Sequence, residues 1–192
     1  MKIDDAHWLE GAKRVPLQGG IPMLTRRFLV IHFTAGASAM SSINYWRELS
    51  NGVCAHFVID RDGTIYQCRP CNRTAGHAGV SEWHGFRNLN NCAIGIELAN
   101  GGDSYPTKFS KLKPITAKHK NGGPVTQWEA YTPEQLAACE MLSKVLVERY
   151  NLDDVVGHED IAPSRKNDPG PAFEMQSLRE ACGFQGLPKK RP

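Results

Sequence analysis

Residues 27–33 read RFLVIHF, a run that is apolar on both faces of an extended chain apart from His32 near its end. Side chains along a strand alternate between faces, so such a run is stable only where both faces are covered. It predicts a buried central strand, and with it a sheet layered by helices. A second short run, DVVGH at 154–158, predicts another strand and also ends on a histidine, His158. Strand ends are where α/β folds place ligand sites.

The remaining periodicities fill in a single α/β domain with a central mixed β-sheet flanked by helices. SAMSSINYWRELSNG (38–52) predicts a short helix with a serine cap and a stop at Asn51-Gly52. CAHFVIDRDGTIYQC (54–68) predicts a β-hairpin with a two-residue turn at Asp62-Gly63. CAIGIEL (92–98) predicts a strand with Ile94, Ile96 and Leu98 on one face and Gly95 and Glu97 on the other. YTPEQLAACEMLSKVLVERY (131–150) is the clearest helix, with Thr132 as cap, Pro133 in the first turn and Gln135 completing a capping box. AFEMQSLREACG (172–183) predicts a last helix stopped by Gly183.

Residues 1–25 read as an arm lying on the domain, 26–182 as the domain itself and 183–192 as a tail. Residues 69–91 read as a loop, and about 101–130 as an irregular insertion carrying Lys108, Lys111, Lys113, Lys118 and Lys120. The net charge of +3 is too small to argue for a nucleic-acid partner. No apolar run approaches the ~20 residues that a membrane span needs, and the first residues lack a signal-peptide layout, so synthesis in the cytoplasm is expected. The six cysteines need not be paired, and Cys68 and Cys71 in CRPC read as strand-end thiols, since nothing nearby completes a zinc knuckle.

The last irregular stretch, GHEDIAPSRKNDPGPAF (157–173), places Asp168 ten residues after His158. Two histidines and a carboxylate, His32, His158 and Asp168, make the three-donor set of catalytic zinc sites. From spacing alone His56, His77, His84, Glu97 and Asp160 compete for the same roles.

LVIHFTAG, AHFVIDRDGTIYQ, HAGVSEW, AIGIELAN and VVGHEDIAPSRKNDPGPAF occur in this order from about Arg26 to Phe173. In these pieces the chain resembles the zinc-dependent N-acetylmuramoyl-L-alanine amidases of type 2, a family of recycling amidases, phage endolysins and autolysins that shares its fold with peptidoglycan recognition proteins. The resemblance implies Zn2+ held by His32, His158 and Asp168, Glu97 as general base, and Lys166 as the group that stabilises the oxyanion. It further implies a substrate groove with His77, to which the neighbouring Arg73 and Trp83 are added as candidate contacts. Phe33 stands where the recycling branch carries asparagine. The implied reaction is hydrolysis of the bond between N-acetylmuramic or anhydro-muramic acid and L-alanine, by a monomer, in peptidoglycan or muropeptides. The alternative is a recognition module that binds peptidoglycan without cutting it. The implied location is the cytoplasm, or the cell wall for an enzyme released as an endolysin.

Overall fold

A computed structural model describes residues 1–49 and 51–186. The predicted tail falls partly on 187–192, and the first helix's predicted stop includes Ser50; both lie outside the described residues. Among the described residues ten strands are formed: β1 Lys13–Arg14, β2 Phe28–Phe33, β3 Phe57–Ile59, β4 Ile65–Gln67, β5 Glu82–Trp83, β6 Phe86–Arg87, β7 Ala93–Leu98, β8 Ile115–Lys118, β9 Val125–Trp128 and β10 Asp154–Gly157. The helices are α1 Ala39–Leu49, α2 Pro133–Tyr150, α3 His158–Ile161 and α4 Met175–Ala181.

Six strands form one mixed sheet in the order β1-β4-β3-β7-β2-β10. β2, which carries RFLVIHF from its second residue on, sits between β7 and β10 and is parallel to both. Its first five residues are buried, as the two-faced apolar pattern requires. Alternation splits the core. Leu29, Ile31, Ile94, Ile96 and Leu98 face α2 through Cys139, Leu142 and Leu146. Phe28, Val30 and Ala93 face the opposite layer with Ala78, Trp83 and Leu89. Each fully buried aliphatic or aromatic side chain contributes about 1.5–3 kcal/mol of transfer free energy.

The structure departs from the sequence reading in five places. The arm joins the sheet: β1 pairs with β4, and Ile3 and Leu9 enter the main core. The turn between β3 and β4 is longer than two residues. Asp60 N donates to Thr64 O at 2.9 Å, enclosing Arg61–Gly63, and Gly63 takes the left-handed φ of 80° that closes a three-residue hairpin loop. The capping box is half made. Thr132 Oγ1 accepts from Gln135 N at 3.1 Å, but the Gln135 amide reaches across to the carbonyls of Ile59 and Ala99, both at 3.0 Å. A buried amide is worth more tying two strand ends than capping a helix whose Pro133 already removes one donor. The lysine-bearing insertion is not irregular throughout: β8 and β9 form an antiparallel hairpin within it. The 69–91 loop likewise contains the small β5–β6 hairpin.

Candidate metal centre and active site

The sheet order sets the two histidine-bearing strand ends side by side. Val156 and Gly157 of β10 pair with Val30 and Ile31 of β2, so His158, which opens α3 directly after β10, projects beside His32. The chain then returns through 162–167 and delivers Asp168, whose carbonyl accepts from Glu159 N at 2.8 Å. Gly157 is needed where this return passes, since a Cβ there would lie 2.8 Å from Pro169 Cδ.

His32 Nδ1 and His158 Nδ1 lie 2.9 Å apart, and each is 3.0 Å from Asp168 Oδ2. All three side chains are buried. The opposite nitrogens fix the tautomers. His158 Nε2 donates to Ala78 O at 3.1 Å. His77 Nε2 donates to Ala93 O at 3.1 Å, which leaves His77 Nδ1 to accept from His32 Nε2 at 3.0 Å. With each Nε2–H committed, both Nδ1 atoms present lone pairs to the carboxylate oxygen and to each other. Three lone-pair donors converging without a proton to share repel unless a cation lies among them. The donor set therefore fits a metal ion, and its two imidazoles and one carboxylate are ligands of the kind zinc takes. Burial, with the neighbouring His158, lowers the His32 imidazole to about 4, so it is neutral, as a ligand must be.

Glu97 is in register with His32 on the neighbouring strand and lines, with His158 and Asp168, a cavity of about 380 Å³. Its Oε2 is buried without a hydrogen-bond partner. Burial and the Asp168 charge push its carboxyl up to about 8, opposed by Lys166. Lys166 lines the same cavity, and no ion pair within 4.0 Å joins it to Glu97 among the described residues. Phe33, Trp46 and Asp103 form other walls.

His77 lines the cavity, but its ring is spent on orienting His32. The other two candidate substrate contacts lie elsewhere. Trp83 is 2% exposed, packs in the core and donates from Nε1 to Asp154 at 3.0 Å. The Arg73 guanidinium donates to Gly20 O, tying down the arm, and its carbonyl accepts from His56 Nε2 at 2.9 Å. His56 also accepts from Gly95 N at 3.0 Å through Nδ1, so both of its ring nitrogens are occupied by the backbone. Sequence reasoning missed one contributor altogether, the buried pair His119 Nε2–Glu159 Oε2 at 2.6 Å. It joins the β8–β9 insertion to the residue after His158, and no short motif signals it.

The family of N-acetylmuramoyl-L-alanine amidases, type 2, matches residues 23–171. The chain belongs to this amidase family. It is 33% identical over 165 residues to the N-acetylmuramoyl-L-alanine amidase AmiD of Escherichia coli K12, covering 80% of this chain and 52% of that one. It is 36% identical over 129 residues to the 1,6-anhydro-N-acetylmuramyl-L-alanine amidase AmpD of the same organism, covering 66% and 57%. The chain thus spans little more than half the length of these curated amidases. Its fold superposes with a TM-score of 0.66, at 31% identity over 90% of this chain and 62% of the other, on E. coli AmiD in complex with the substrate anhydro-N-acetylmuramic acid-L-Ala-D-γ-Glu-L-Lys. No helix among the described residues of the chain is long and apolar enough to cross a membrane.

Proposed function

We propose that this chain hydrolyses the amide between N-acetylmuramic acid, or its anhydro form, and L-alanine, with Zn2+ held by His32, His158 and Asp168. The observation that carries this reading is the convergence of three lone-pair donors beside a buried carboxyl, Glu97, whose Oε2 has no partner. Zinc in a three-donor set supplies Lewis acidity, which polarises a carbonyl and brings the pKa of water to about 7.

The chain's own groups do the rest. Glu97, buried beside the donors with its Oε2 unpartnered, can take the proton of the attacking water and return it to the departing alanine nitrogen. Lys166 faces the same cavity and offsets the negative charge that gathers on the carbonyl oxygen as the tetrahedral intermediate forms. The neutral His32 imidazole, oriented by His77, would offer its lone pair to the ion rather than hold a proton. All of these groups come from one chain, which supports action as a monomer. Small anhydro-muropeptides in the cytoplasm suit the cavity of about 380 Å³, and the relatives AmpD and AmiD are amidases of such anhydro-muramyl compounds.

The test is product analysis by mass spectrometry after incubating the zinc-loaded protein with anhydro-N-acetylmuramoyl-L-Ala-D-γ-Glu-L-Lys and, separately, with purified sacculi. Release of the free tripeptide from the first is expected. Inertness on both would overturn the reading.

A further inference from the structure

Both histidines of the donor set lean on one short piece of chain, residues 77–80. His77 Nδ1 accepts from His32 Nε2 at 3.0 Å, and the carbonyl of the next residue, Ala78, accepts from His158 Nε2 at 3.1 Å. This piece runs between the bridge at Gly76 and β5, outside any strand or helix, so no ladder fixes it. Its backbone polar groups need partners of another kind. Two side chains supply them. Asn90, in the single turn of 3-10 helix Leu89–Asn91, accepts through Oδ1 from His77 N at 3.0 Å and from Ala78 N at 2.7 Å. Arg165, in the return that delivers Asp168, donates from Nη2 to Ala78 O and to Val80 O, both at 2.8 Å. Gly79 makes that approach possible. It takes a left-handed φ of 56°, and a Cβ there would lie 3.0 Å from Arg165 Nη2 and 3.4 Å from Cζ.

We propose that Asn90 and Arg165 are positioning residues of the metal centre: they fix residues 77–80, and through them the angle at which His32 and His158 present Nδ1. Neither side chain belongs to the donor set. The inference rests on the zinc amidase reading and adds to it which residues hold the site's geometry. A carbonyl oxygen carries two lone pairs. On Ala78 one meets the Arg165 guanidinium and the other the His158 imidazole. The atom that sets the tautomer of His158 is thus itself held by a charge-assisted hydrogen bond, about twice as strong as a neutral one. Arg165 also joins the return through 162–167 to the piece that steadies the histidines, so the segments bearing all three donors are tied together. Asn90 acts on both histidines at once. One of the amides it pins carries the ring that orients His32, and the other belongs to the residue whose carbonyl orients His158.

The experiment measures zinc affinity, by competition with a chelator, in the wild type and in Arg165→Gln, Asn90→Ala and Asn90→Asp. The visible absorption of each cobalt(II)-substituted protein is recorded beside it. Arg165→Gln, at an exposed side chain, is expected to weaken zinc about tenfold, and Asn90→Ala, which loosens both histidines, about 100-fold. Asn90→Asp keeps an acceptor oxygen in place and is expected to bind zinc as the wild type does. The cobalt spectrum is expected to change in the two weakened variants and to stay as in the wild type in Asn90→Asp. A role in folding alone would lower Tm without moving the zinc affinity or the cobalt spectrum of the folded protein. Wild-type affinity and spectrum in Arg165→Gln overturn the proposal, and that arm stands even if Asn90→Ala does not fold. An Asn90→Asp protein as weak as Asn90→Ala overturns it too. A wild type that binds no zinc overturns the amidase reading and this inference together. A wild type that binds zinc, matched by its variants, overturns this inference alone.

Discussion

The imidazole of His77 lies across Gly95, so closely that a Cβ on Gly95 would come within 2.6 Å of His77 Cγ. The room that a glycine opens on the Glu97 face of β7 is filled by the ring that orients His32. Gly95→Ala must displace His77 and so release His32 Nε2 from its partner. The expected result is a metal affinity lower by about 10–100-fold, read by competition with a chromogenic chelator. Wild-type affinity in Gly95→Ala would show that His77 does not hold the ligand.

Removing a donor and removing the proposed base have different signatures. His158→Ala leaves two donors and is expected to lose both bound zinc, by elemental analysis, and turnover. Glu97→Gln retains the three donors and is expected to keep zinc while kcat falls about 10²–10⁴-fold. A Glu97→Gln protein of normal kcat would remove Glu97 from the mechanism.

His56 gives a pH dependence with a definite sign. It is held neutral by two backbone partners, and burial lowers its pKa from 6.5 to about 4. The unfolded chain therefore binds the proton first. The stabilisation is complete above about pH 6.5 and is lost as pH falls toward 4, reaching about 2–3 kcal/mol by pH 4.5. Urea unfolding at pH 7.5 and 4.5 should show an acid loss that is smaller by this amount in His56→Gln than in the wild type.

The β8–β9 hairpin clamps the ligand-bearing turn. His119 and Gly170 N both reach Glu159 Oε2, and Asn121 Nδ2 donates to Glu159 O at 2.8 Å. His119→Ala removes the closest partner of a buried carboxylate and is expected to cost about 1–3 kcal/mol. Thermal unfolding of the zinc-free protein isolates this effect from metal binding. An unchanged Tm there would mean the clamp is idle.

Trp83→Phe separates a core role from a substrate role. The expected loss is about 1 kcal/mol in stability, for the hydrogen bond to Asp154, with KM for muropeptide unchanged. A raised KM at unchanged stability would restore Trp83 to the groove.

The strands that carry the histidines were legible because burial on both faces leaves a plain mark: RFLVIHF reads as an inner strand with His32 near its end, and DVVGH as a short strand leading into His158, although its place at the sheet edge was not legible. The donor set followed from motif resemblance and was brought together by parallel pairing. What was not legible depends on partners distant in sequence. Trp83 looks like a sugar platform in a polar loop until Asp154, 71 residues away, is seen to accept a hydrogen bond from its indole N–H. Gln135 fits a capping box until the carbonyls of Ile59 and Ala99 outbid its own helix. Gly95 could have been read further, since a glycine inside a strand marks a close approach, but the identity of the approaching ring is a tertiary fact.

β10 closes one edge of the six-stranded sheet and is held in the ladder by β2 alone. The three donors straddle that seam, and His32 and His158 are separated by 126 positions in the chain. An ion among them would therefore be a staple as well as a reagent: it would tie the outermost strand to its neighbour β2 and close a ring whose restraint on the unfolded chain is comparable to that of a long-range disulfide, about 4–5 kcal/mol. Stripping such a metal would then free an edge as well as empty the proposed site, and the apo protein should unzip from β10 inward.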